Sequence, residues 1–115
     1  AAGIKKSDES GIVLLKAKAS NLSPVSFSQD KAVMGTPLFL IGIEQGVSGP
    51  LYFMNSGIIK SIDGSLIETN MIEDSSSVTG VPLLDSNGDV AGIASVNSAG
   101  YVFGISADAI MQFIR

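Results

Sequence analysis

Apolar residues in this chain fall in short runs broken by turn-forming residues, a rhythm that predicts short strands more than helices. Ile12-Val13-Leu14-Leu15-Lys16-Ala17 reads as the first strand. Asn21-Leu22-Ser23-Pro24 is a turn, because the proline disfavours helix at Ser23. Residues 20–36 are mostly polar and read as a connector. Pro37 to Ile43 is apolar at nearly every position, which predicts a strand buried on both faces. Gln45 to Pro50 reads as a loop. Tyr52 to Ile62 is a long strand with a bend or bulge expected at Ser56-Gly57. Asp63-Gly64 signals a hairpin, with Ser65 to Met71 returning. Asp74 to Ser77 reads as a polar loop. Val81–Leu84 and Asp89–Val96 form a second hairpin around Asn87-Gly88. Tyr101 to Ile105 is the last strand.

The C-terminal end changes period. Ser106 is placed to cap a helix from Ala107 to about Ile114, with Asp108 in its first turn suiting the helix dipole. Ile110, Phe113 and Ile114 share one face at i, i+3, i+4 spacing and should pack back on the sheet. The expectation is an all-β chain, a six-stranded antiparallel barrel with a C-terminal helix.

Composition narrows the function classes. The 115 residues are 45% hydrophobic and 16% charged, with 13 glycines, so a packed single domain is expected and not disorder. The net charge of -4 and the absence of any lysine or arginine cluster argue against nucleic acid. No apolar run reaches the length of a membrane helix. There is no cysteine, hence no disulfide framework or thiolate chemistry. No metal site or cofactor is expected. Glu73 and Asp74 are adjacent and would point to opposite faces of a strand, which favours plain solvation. Asp85-Ser86-Asn87-Gly88-Asp89 lacks the downstream glutamate of a calcium loop and reads as a hairpin turn.

The most informative segment is Ser77-Val78-Thr79-Gly80-Val81-Pro82-Leu83-Leu84, followed by Asp85 to Ile93. It resembles the nucleophile loop of a trypsin-fold serine protease, Gly-Asn-Ser-Gly-Gly-Pro-Leu, running into its next hairpin. Four other blocks occur in the matching order: Ile12-Val13-Leu14-Leu15-Lys16, Met34 to Gly42, Asn55-Ser56-Gly57-Ile58-Ile59-Lys60-Ser61, and Tyr101-Val102-Phe103-Gly104-Ile105-Ser106. Together they resemble the C-terminal barrel of the HtrA-type (Deg-like) serine proteases. On this resemblance residues 1–32 correspond to a remnant of the first barrel, a strand plus connector, and residues 33–115 to the C-terminal barrel. An extracytoplasmic location, periplasmic or secreted, follows from the same resemblance.

The departures from the family pattern bear on chemistry. The nucleophile position is Thr79, the oxyanion-hole glycine position is Ser77, and a second glycine position is Val81. The family's aspartate position is Gly11, with Asp8 and Glu9 nearby. The chain has no histidine. A threonine hydroxyl needs an adjacent base to attack, and the family uses histidine for that purpose. Lys16 or Lys60 could serve only if brought to Thr79. Ala94, Ser95 and Val96, with Val102, Phe103 and Gly104, would by resemblance form the peptide-pairing strand edge and the wall of the specificity pocket. Strand pairing with a peptide needs only free backbone groups and survives loss of the triad. Three readings stay open at this point: a catalytically degenerate domain that binds a peptide or protein partner or serves assembly; a hydrolase whose histidine and first barrel come from a missing region or another chain; and a structural remnant with Val81 and Phe103 filling the cleft. The apolar first strand needs cover, which suggests an oligomer or a missing N-terminal region.

Overall fold

The computed structural model describes the backbone of residues 2–6 and all of residues 11–114; Asp8 and Glu9 lie outside the described residues. Six strands close an antiparallel barrel: β3 (Pro37–Gly46), β4 (Gly49–Asp63), β5 (Leu66–Ile72), β6 (Pro82–Leu84), β7 (Val90–Val96) and β8 (Tyr101–Ser106). Their order around the barrel is β3-β4-β5-β8-β7-β6. A single pair, Phe39 with Leu84, joins β3 to β6 and completes the ring. Ahead of it, β1 (Ala2–Lys6) and β2 (Val13–Lys16) make a separate two-stranded antiparallel sheet. The chain ends in α2 (Ala107–Ile114).

The barrel forms because alternate residues of its strands are apolar and point inward. Leu38, Leu40, Ile59, Ile67, Met71, Leu83, Ala94 and Val102 meet there with Val78 in one buried cluster. Each fully buried leucine, isoleucine or valine contributes about 1.5–3 kcal/mol of apolar transfer. Thr69 is the polar exception. It is fully buried, donates its hydroxyl to the Val102 carbonyl at 2.7 Å, and accepts the Met71 N–H at 3.1 Å. That hydroxyl satisfies backbone groups where the β5–β8 register slips between Glu68 and Ile72.

Several local expectations need correction. The segment 45–50 is a tight hairpin, with Gly46 paired to Gly49. The irregularity in β4 lies between Ile59 and Ser61 and not at Ser56-Gly57. Those two residues pair regularly with Phe39 and Leu38. The first hairpin turns at Gly64-Ser65, with Asp63 opposite Leu66 and Gly64 at φ +60°. The second hairpin is wider than a two-residue turn: the Asp85 N–H donates to the Asp89 carbonyl and the Gly88 N–H to the Asp85 carbonyl. Residues 75–78 are not loop but one helical turn, α1 (Ser75–Val78), capped by the Asp74 carboxylate on the Ser76 N–H. The terminal helix is as expected, with the Ser106 hydroxyl accepting the Ala109 N–H at 3.3 Å. Its face is graded: Ile110 is buried, Phe113 half-buried and Ile114 exposed.

The outer surface of the barrel carries exposed apolar side chains along β3 and β4. Ile41 lies opposite Met54 and Ile43 opposite Tyr52, and all four are exposed. Val13 and Leu15 of β2 are exposed as well.

Candidate functional site

The loop that resembles a nucleophile loop is built from α1 and the entry to β6. Thr79, the residue in the nucleophile position, is exposed and extended at φ -62°, ψ 125°. Gly80 follows at φ +90°, a left-handed conformation that suits glycine. Its N–H donates to the Ala94 carbonyl at 2.8 Å, and the Ala94 N–H donates to the Val81 carbonyl at 2.8 Å. Gly80 and Val81 thus both oppose Ala94 in a bulge. The bulge turns the Val81 N–H back to the Val78 carbonyl. Val78 anchors the loop in the barrel core, and Val81 packs half-buried against that core.

An oxyanion hole needs backbone N–H groups that converge on one free point. By resemblance those groups are the amides of Ser77 and Thr79. In the helical turn both are occupied: Ser77 donates to the Asp74 carbonyl at 3.0 Å and Thr79 to the Ser75 carbonyl at 3.2 Å. The bonds that make α1 a helix are the ones that engage these two donors. Lys60, one of the two lysines considered as a base, holds its ammonium 4.7 Å from the centre of the Tyr101 ring. Lys16, the other, is in the separate β1–β2 sheet, and Gly11 lies between the two strands of that sheet, exposed at φ +73°. Among the described residues no three acidic, histidine or cysteine side chains cluster as metal ligands would.

The candidate peptide-pairing strand is β7. The Asn97 N–H donates to the Tyr101 carbonyl at 3.0 Å, which sets the phase of the β7–β8 ladder. In an antiparallel ladder hydrogen-bonded pairs alternate with non-bonded ones. Ser95 pairs with Phe103 in register, so its N–H and C=O turn into the ladder toward β8. Ala94 and Val96 have the opposite phase and turn theirs away. Those of Ala94 are taken by Val81 and Gly80. The ladder with β6 begins at Pro82, opposite Ile93, so Val96 lies beyond its end. The backbone edge that faces outward is therefore at Val96.

The proposed pocket wall divides in two. Val102 is fully buried in the core, and Gly104 is buried beneath β6. A Cβ on Gly104 would come within 2.6 Å of Leu83 Cδ1 and 3.2 Å of the Ile93 carbonyl oxygen. Phe103, of the opposite phase, is half-buried on the outer side. The structure thus brings Thr79, Gly80, Val81, Ala94 and Val96 to one end of the barrel, while Val102 and Gly104 serve its interior. The apolar pattern marks residues 90–96 as a strand but not which of them turn outward, because that depends on the ladder phase. Asp85 organises the 85–89 turn as the sequence predicts, and it is in addition nearly buried and lines a cavity.

No family profile and no curated protein matches the sequence. Among solved structures, the chain is similar to the serine endoprotease from Yersinia pestis, with a TM-score of 0.77 at 18% identity. The similarity covers 98% of this chain and 42% of that one, so the chain spans less than half the length of the structure it resembles. The likeness establishes a trypsin-type barrel fold.

Proposed function

We propose that this domain is a catalytically inactive, HtrA-like pseudoprotease domain that binds an extended stretch of peptide or protein at the β7 edge. The observation that carries this is the orientation of Val96, whose N–H and C=O face outward past the start of β6. An extended chain laid antiparallel there would form two backbone hydrogen bonds at Val96, with side-chain contacts supplying selectivity. The inactive character is supported by the absence of histidine, by threonine at the nucleophile position, and by the engaged amides of Ser77 and Thr79.

The test is a peptide library screened for binding, with a fluorophosphonate probe and a peptidase assay run beside it. The best peptide is then remade with N-methyl groups on alternate amides. Saturable binding, lost on methylation in one phase and kept in the other, with no labelling or turnover, is the expected result. Labelling at Thr79 or Ser77 overturns it.

A second reading has its own support in the exposed apolar pairs Ile41–Met54 and Ile43–Tyr52. In that reading the domain is half of a hydrolase whose first barrel and histidine come from another region or chain. Turnover that appears only with a histidine-bearing partner would establish it.

A further inference from the structure

The opposite end of β6 from the Thr79 loop holds a cavity of about 270 Å³. It lies between the connector, the β6–β7 hairpin and the start of α2. Its floor is apolar, with Ile59, Ala32 and Ala91, and Asp85 stands in its wall. Asp85 is only 8% exposed. Its Oδ1 accepts the Asn87 N–H at 2.9 Å and the Asp89 N–H at 3.0 Å, which fixes the carboxylate in place.

The second carboxylate oxygen is different. Among the described residues no further hydrogen bond or ion pair reaches Asp85, and no buried side-chain oxygen lacks a partner. Oδ2 therefore makes no hydrogen bond and is not sealed off, and Asp85 is one of the residues that line the cavity. A carboxylate sunk this deeply with one oxygen unpaired gains more from a cation than an exposed one does, because screening by water is weaker.

The other charges agree in sign. Asp30 and Asp108 also line the cavity, against the single ammonium of Lys31. The start of α2 would otherwise attract an anion. Its positive end is already met from within the chain by the Ser106 hydroxyl and by Asp108 in the first turn. The apolar floor suits a few methylene groups.

We propose that this cavity binds an ammonium or guanidinium group carried on a short aliphatic chain, with Asp85 Oδ2 as its hydrogen-bond acceptor. A free alkylamine and a lysine or arginine side chain offer the same chemistry. The site is separate from the β7 edge and does not depend on peptide pairing there.

The experiment is amide NMR titration of the 115-residue chain with n-butylammonium, with n-butanol and butyrate as neutral and anionic controls, and with a blocked glycyl-lysyl-glycine peptide. Saturable shifts centred on Asn87 and Asp89 with butylammonium, at a Kd of about 1 mM, are expected, and none with butanol or butyrate. Asp85→Asn keeps an oxygen for both loop N–H groups and should weaken binding about tenfold or more. Lys31→Gln removes the competing cation from an exposed position and should tighten binding about twofold to threefold. Binding of the amine alone would mark a small-molecule site, whereas binding of the lysine peptide as well would mark a seat for a basic side chain. Either supports the proposal. Equal shifts with butanol, shifts centred elsewhere, or binding unchanged in Asp85→Asn would overturn it. If Asp85→Asn does not fold, Lys31→Gln decides, and an unchanged affinity there overturns the proposal.

Discussion

Gly80 donates its N–H to the Ala94 carbonyl at 2.8 Å while its own φ stands at +90°. One residue therefore both turns the nucleophile-like loop and fastens it to β7. A side chain at this position keeps the hydrogen bond only by adopting a strained backbone. Gly80→Ala should cost about 1–2 kcal/mol, read as a lower urea midpoint with an unchanged slope. The amide of Gly80 should also exchange faster relative to the global rate in a weakened variant of the loop. A substitution without cost would mean that the loop is not held in this conformation.

Thr79→Ser restores the nucleophile type that the fold resemblance calls for. It should leave fluorophosphonate labelling at background. The Ser77 and Thr79 amides are engaged by Asp74 and Ser75, and no histidine is present to take the proton. Labelling of the variant, detected by intact-mass spectrometry, would show that the turn unwinds readily and that some other base is at hand.

Gly104 discriminates between interior wall and open pocket. With Leu83 Cδ1 2.6 Å from a prospective Cβ, Gly104→Ala should destabilise the barrel by about 1–3 kcal/mol through overpacking. If Gly104 instead faced an open specificity pocket, the extra methyl would be tolerated and thermal unfolding would not move.

Thr69→Val conserves shape and removes a hydroxyl that serves two backbone groups. The Val102 carbonyl loses its side-chain donor and the Met71 N–H loses its acceptor, both in the buried interior. The expected loss is about 1–3 kcal/mol, measured by chemical denaturation, with Thr69→Ser recovering most of it.

Part of this fold is written in local sequence signals and part is not. Strands bounded by Asp63-Gly64 and Asn87-Gly88, and the helix opened by Ser106, were readable because those signals act within a few residues. The helical turn at 75–78 is hidden in the sequence because three consecutive serines have poor helix propensity; the Asp74 cap overrides that locally. Glycine is a common bulge residue and so points to an irregularity at Ser56-Gly57, yet Gly57 sits in regular register, packed against Asn70 and Met71. The choice of Val96 over Ser95 as the outward residue could not be read from the chain, since both phases of a ladder are compatible with the same apolar pattern. The unpaired oxygen of Asp85 was likewise invisible, because it depends on which neighbours fold against it.

The closure of the barrel through Phe39 and Leu84 has a consequence for its motions. A three-residue strand and one cross-strand pair hold together chain segments 45 positions apart. The β3–β4 and β7–β8 ladders are continuous and mutually reinforcing, whereas this junction is a seam with little to hold it. Formation of the ring must wait for the most distant encounter in the barrel, and its loss needs the fewest bonds to break. Breathing of the domain should therefore begin at this seam as the parting of β6 from β3, and that parting would loosen the Thr79 loop at one end of β6 and the Asp85 cavity at the other in a single event.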